Sequence, residues 1–253
     1  MKYSYQAENN NLNQTAQINK SVFSANDNLN FLDPQRDSHR VYQRRDNLFK
    51  VGDHFEGLYI LRSGSAKSLI ASRKGEEHIT KFYYPGDMLG IDGFDGLLHN
   101  QSVRFLETSS VCLIKTSEIY NQMQCNTHFR DSLLQSMSHS LVNDNAMLMC
   151  LSTCSSEQKV ARFLLDLSVK FSSRGLSGSE FTLSMTRIDI ANYLGMAIET
   201  VSRIFASFQH RKLIAVQQRN LSILNFNGLN QCVSIDICSQ AVKHPKTTKL
   251  AMN

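Results

Sequence analysis

The chain is 253 residues long, 42% hydrophobic and 19% charged, with a net charge of +5, a profile that fits a globular protein with one large core or two modest ones. No apolar run reaches the ~18–20 residues of a membrane span, and the opening MKYSYQAENNNLNQ lacks the apolar centre of a signal peptide, so a cytoplasmic protein without membrane association is expected. Charge is unevenly divided: residues 1–155 carry a balance of −1 and residues 156–253 a balance of +6, which directs any polyanionic partner to the C-terminal part.

Residues 1–30 hold eight asparagines and few large apolar residues, so residues 1–40 read as a disordered tail. From Val41 the texture changes. Gly52, Gly64, Gly75 and Gly86 punctuate short segments such as LYILRS, AKSLIAS and HITKFYY. Regular short strands between turn glycines predict an antiparallel sandwich or small barrel over 41–120. KGEE at 74–77 and PGD at 85–87 supply turns, and VRFLETSSVCLIK reads as the last strand.

Between Leu97 and Arg174 there is neither Gly nor Pro, which permits a long helix within 121–155. Leu134, Leu141 and Leu148 lie one heptad apart, and Met137, Asp144 and Leu151 take the complementary seam position, so the pattern predicts about three heptads of two-stranded coiled coil. A helix packed on its own domain is the alternative. In a homodimer Asp144 would face its own copy, and two close carboxylates keep such a dimer marginal. A rotation that brings Asp144 to solvent removes the conflict.

SSEQKVARFLLDLSVKF at 155–171 predicts a further helix capped by Ser156, and EFTLSM a short strand. The most informative stretch follows: TRIDIANYLGMAIETVSRIFASFQ, 186–209. Thr186 and Asp189 have the spacing of a capping box. Ala191 is small where two helices would approach, and Gly195 allows the positive φ of a tight turn. Val201 and Ile204 face back into a core, continued by Phe205 and Phe208. This is the pattern of a helix-turn-helix, whose second helix presents Glu199, Ser202 and Arg203 to base edges. Glu199 and Arg203 also have the i,i+4 spacing of a surface ion pair. LIAVQQRNLSILN, 213–225, predicts a hairpin wing with Arg219 at its tip.

At these residues the chain resembles the CRP/FNR superfamily, relatives of the cyclic-AMP receptor protein and of the fumarate-and-nitrate-reduction regulator. The resemblance covers about 45–230. It implies an α+β protein: a cyclic-nucleotide-binding-type jelly-roll barrel at 41–120, a dimerisation helix at 121–155, a winged helix-turn-helix at 156–230 and a C-terminal tail at 231–253. The spacing of Glu199, Ser202 and Arg203 is similar to the FNR branch and implies palindromes with TTGAT-type half-sites. Ile198 stands where the receptor-protein branch has arginine. Thr186 and Arg187 match family positions that hold the DNA backbone, and Arg219 joins them as a phosphate contact. The implied protein is a bacterial transcription regulator, activator or repressor, that meets RNA polymerase, with the loop GFDGLLHN at 93–100 as one candidate surface.

The departures concern the input signal. The glutamate that would hold a nucleotide ribose falls on Ile91, beside Asp92, and the arginine–serine pair for the cyclic phosphate falls on Gln101-Ser102, so cyclic AMP is not expected. Family oxygen sensors hold an iron–sulfur cluster through N-terminal cysteines and one in the barrel. Here Cys112 takes the barrel position, but residues 1–111 contain no cysteine, and no four-cysteine cluster is expected. Cys112, Cys125, Cys150, Cys154, Cys232 and Cys238 include no CxxC pair and no compact metal spacing. Cys150 and Cys154 share a helix face, compatible with an oxidation switch or an inter-subunit metal, and haem or another effector stays open. A ligand-binding regulatory module without DNA activity is the second reading. An enzyme is the third, disfavoured because no nucleophile–base constellation, phosphate loop or zinc-protease motif is present.

Overall fold

In the computed structural model, which describes residues 39–233, the N-terminal half is a double-layered antiparallel roll. Its strands are β1 (His39–Tyr42), β2 (Asn47–Phe49), β3 (Gly57–Ser63), β4 (Ala66–Ala71), β5 (Glu77–Tyr83), β6 (Met88–Leu89), β7 (Ser102–Phe105) and β8 (Ser109–Lys115). One sheet has the order β1-β8-β3-β6 and the other β2-β7-β4-β5. Alternation places Val103 and Phe105 of β7 inside, whereas Leu58 to Leu61 of β3 are all buried, as expected of a strand covered on both faces. The tail expected at 1–40 lies outside the described residues apart from His39 and Arg40, as do residues 234–253 with Cys238.

VRFLETSSVCLIK is not one strand. It forms β7 and β8, which belong to different sheets. The corner needs no glycine because polar side chains hold it: Ser109 Oγ donates to Glu107 O at 2.8 Å, and Ser65 Oγ donates to Glu107 Oε1 at 2.7 Å. Helix α1 (Thr116–Cys125) and helix α2 (Thr127–Thr153) follow. The helical stretch expected over 121–155 is broken at Asn126, which is extended and accepts from Phe129 N–H at 3.1 Å, so a new helix starts after it.

Helix α3 (Ser156–Ser173) is capped by Ser155 and not by Ser156. Counted from Ser155 the third helical residue is Gln158, and the two exchange side-chain-to-backbone hydrogen bonds of 2.7 and 3.3 Å. The Ser–Gln spacing of a capping box exists only from Ser155; from Ser156 the third helical residue is Lys159. After α3 come β9 (Glu180–Thr182), α4 (Arg187–Tyr193), α5 (Ile198–His210), β10 (Ile214–Gln217), β11 (Asn220–Ile223) and α6 (Phe226–Val233). The three strands pair in the order β10-β11-β9, and α6 runs through the first residues of the stretch expected as tail.

The two halves share a core. One apolar cluster joins Leu69, Ile79, Phe82, Tyr84 and Leu106 of the barrel to residues of α3, α4 and α5. The Phe82 ring lies 5.1 Å from that of Tyr193 and 6.2 Å from that of Phe163, edge-on contacts that add to simple burial. No helix among the described residues is long and apolar enough to cross a membrane.

Candidate nucleic-acid interface

The turn between α4 and α5 has the geometry its residue types demand. Thr186 Oγ1 accepts from Asp189 N–H at 3.2 Å, and Asp189 Oδ2 accepts from Thr186 N–H at 2.8 Å. Gly195 has φ +62°, the left-handed region, and no atom lies within 4 Å of where its Cβ would stand. Met196 N–H returns to Ala191 O at 2.9 Å and closes the end of α4. Ala191 is buried between the helices, and Val201, Phe205 and Phe208 on α5 are buried behind them, with Ile204 half-buried at the edge.

Burying that face leaves the opposite one free. Glu199, Ser202 and Arg203 sit at i, i+3 and i+4 on the first two turns of α5, and all three are exposed. Arg203 donates to Thr200 Oγ1 at 3.3 Å, not to Glu199, and Ser202 Oγ donates to Ile198 O at 2.9 Å. The three side chains therefore form one hydrophilic surface, with one acceptor group, one cationic fork and one hydroxyl.

Of the residues expected at the DNA backbone, Thr186 is exposed beside its capping bond. Arg219 is exposed at the two-residue tip between β10 and β11, where Gln218 has φ +56°. Arg187 differs. Its guanidinium is stacked 3.4 Å from the centroid of the Phe205 ring, and burial lowers its pKa to about 10. Stacking uses the face of the fork and leaves its N–H edge available.

The seam residues of α2 divide. Leu134, Leu141 and Leu148 are 55%, 65% and 64% exposed, and Asp144 is exposed beside them. Leu151 is half-buried, and Met137 packs against the barrel cluster that holds Phe129 and Leu133. One side of α2 is thus seated on its own barrel and the other presents an uncovered leucine stripe.

In the barrel, Ile91 begins a short 3-10 turn, and the groups around Asp92 satisfy one another. Asp92 Oδ2 accepts from the backbone N–H of Asn100 at 2.8 Å and of Gln101 at 3.3 Å, and Oδ1 lies 3.4 Å from His99 Nδ1. His99 is buried flat against Phe49, with ring centroids 3.5 Å apart. Burial opposes the Asp92 charge, but the bonds from His99, Asn100 and Gln101 outweigh it and hold the pKa below the ordinary carboxylate value. An anion brought to these N–H groups would meet a carboxylate already there. Cys112 is fully buried among Leu58, Ile60 and Ile114. Burial, then the contact with Cys154, pushes the Cys150 thiol up to about 11, which works against thiolate chemistry. Among the described residues no three His, Cys, Asp or Glu side chains are grouped to hold a metal.

Comparison with known proteins places this geometry. The family model for a cyclic nucleotide-binding domain matches residues 39–126, and that for a Crp-like helix-turn-helix domain matches residues 158–232. The chain is 38% identical over 201 residues to the anaerobic regulatory protein of Haemophilus influenzae, covering 79% of this chain and 78% of that one. It is 39% identical over 186 residues to the transcriptional activator protein Anr of Pseudomonas protegens (74% and 76%), and 36% identical over 207 residues to the fumarate and nitrate reduction regulatory protein of Vibrio cholerae (82% and 83%). Among solved structures, FixK2 from Bradyrhizobium japonicum superposes with a TM-score of 0.71 at 22% identity, covering 78% of this chain and 96% of that one. A roll, a long helix and a helix-turn-helix in this order, with relatives of this closeness, make the chain a DNA-binding transcription regulator of the CRP/FNR family.

Proposed function

We propose that the protein acts as a homodimer that reads an FNR-like palindrome, with TTGAT-type half-sites, through α5. The observation that carries this reading is the exposed face of Glu199, Ser202 and Arg203 on a helix whose other face is locked in the core. Arg203 would take guanine O6 and N7 bidentately, Glu199 would accept from cytosine N4, and Ser202 would adapt to either partner. Thr186, the N–H edge of Arg187 and Arg219 would hold phosphates and fix register without reading sequence. The leucine stripe of α2 supports association of two copies, which sets two reading helices about one DNA turn apart.

Cyclic AMP is not the proposed effector, because the Asp92 carboxylate occupies the backbone N–H groups at Asn100 and Gln101. A four-cysteine cluster is not proposed either, because residues 1–111 have no cysteine and Cys112 is enclosed in apolar core. RNA polymerase is the proposed protein partner, with residues 93–100 as one surface. Leu97 and Leu98 there are 56% and 42% exposed.

The test is an anisotropy titration of reduced, metal-free protein with a duplex carrying TTGAT-N4-ATCAA, beside a duplex with both G·C pairs replaced. Selective binding that weakens steeply with salt is expected. Arg203→Ala should cost about 1–3 kcal/mol and relax discrimination at one base pair. Equal weakening on every sequence would remove Arg203 from base reading.

A further inference from the structure

The helix-turn-helix is bolted to the barrel of its own chain at three points. Lys67 Nζ on β4 donates to Asp189 Oδ1 at 2.6 Å, and the two side chains are only 14% and 12% exposed. Asp189 is also the acid of the capping box, so one carboxylate serves both the start of α4 and the barrel. On the neighbouring strand, the Asn192 amide completes a pair of backbone hydrogen bonds: its Oδ1 accepts from Ile79 N–H at 2.6 Å and its Nδ2 donates to Glu77 O at 2.8 Å. Strand β5 is the edge of its sheet, so Asn192 does for that edge what a further strand would do. The third point lies at the end of α3, where Arg174 donates to Pro85 O at 2.9 Å and to Asp87 Oδ1 at 2.5 Å.

Between these polar points lie the shared aromatic contacts of Phe82 with Tyr193 and Phe163. A polar set with matched partners on both sides fixes orientation, whereas apolar packing alone permits sliding. The seat leaves Glu199, Ser202 and Arg203 exposed, so it does not cover the reading face. It fixes where that face points.

We propose that Lys67 and Asn192 are positioning residues for DNA reading: through them β4 and β5 set the direction of α5, so that two barrels joined at α2 hold two reading helices in register with both half-sites. This rests on the palindrome reading above. Neither residue need touch DNA. The cost of misplacement falls on the second half-site, because the first can be met by rotating the whole domain, and the advantage of linked sites is lost when geometry forbids their joint engagement.

The experiment uses the full chain with Lys67→Glu, Asn192→Asp and Lys67→Arg. Each is titrated on the palindrome and on a duplex with a single TTGAT half-site, and hydrogen exchange is followed in β5. Lys67→Glu and Asn192→Asp should lose roughly tenfold on the palindrome, a usual size for coupling between sites, with single-half-site affinity unchanged. Exchange at the Ile79 amide should rise several-fold, and Lys67→Arg should restore both values. Parallel loss on the two duplexes would mean a folding defect and overturn the proposal. So would palindrome affinity that holds or increases, or exchange in β5 that stays at the parent level. A parent protein that ignores both duplexes would sink the half-site reading instead, and β5 exchange would still decide whether Lys67 and Asn192 seat the domain.

Discussion

Arg187 and Gly195 show how much one residue settles in a small helical unit. The guanidinium of Arg187 lies on Phe205, so Arg187→Ala removes packing as well as charge. Its thermal midpoint should fall, and the salt slope of DNA binding should flatten by about one; a changed slope at constant midpoint would mean that the stack is inert. Gly195 sits at φ +62° in open space. Gly195→Ala therefore meets backbone strain and no clash, and should destabilise by about 1–2 kcal/mol in denaturant unfolding. Both positions were legible in the sequence to different degrees. The glycine followed from turn chemistry over ten residues, but the partner of Arg187 is a ring 18 positions away on another helix. The Asp92 bonds to Asn100 and Gln101 are likewise not written in local spacing.

At the scale of the element, periodicity gave α2 its leucine stripe but not its limits. The heptad pattern begins after Asn126 and does not mark the break there, because a cap is a local competition between a side chain and the backbone that an apolar repeat does not record. Met137 fits the seam by number and still turns to the barrel. The exposed stripe carries its own prediction. Leu141→Glu puts a charge into it, and the protein should sediment as a monomer with helix content unchanged. Asp144→Leu removes the like-charge contact expected in a paired helix and should shift the monomer–dimer equilibrium toward the dimer. A dimer indifferent to both changes would pair through another surface. The strand error at VRFLETSSVCLIK has a similar origin: a serine hydroxyl closes a corner that no glycine or proline marks in the sequence.

For the whole molecule, the chain order of barrel, long helix and reading domain followed from composition and spacing, while the seat between barrel and reading domain did not. Lys67 and Asp189 are 122 positions apart, and nothing local in either segment announces the other. That seat depends on acid. Burial opposes the Asp189 charge, but Lys67 and Thr186 more than compensate and hold its pKa below the ordinary value. A depressed carboxylate contributes stability that is complete above its unfolded pKa, about 4, and that fades as pH falls through the folded value. Denaturant midpoints taken from pH 7 to pH 3 should drop toward the acid end, and Asp189→Asn should make that drop shallower. An unchanged profile would place the acid sensitivity elsewhere, with Asp92 the next group to replace.

The bonding of Asn192 along β5 also bears on how the protein can be divided. Residues 39–126 match a single domain model, yet their sheet ends in an edge covered by a side chain from the other half. Cut away from residues 156–233, β5 would offer free N–H and C=O groups beside the stripped faces of Phe82 and Tyr84, the condition under which sheets pair edge to edge between molecules. The separated barrel should therefore express as aggregate and become tractable when β5 carries an added lysine. In this protein the helix-turn-helix half also covers the open sheet edge of the barrel.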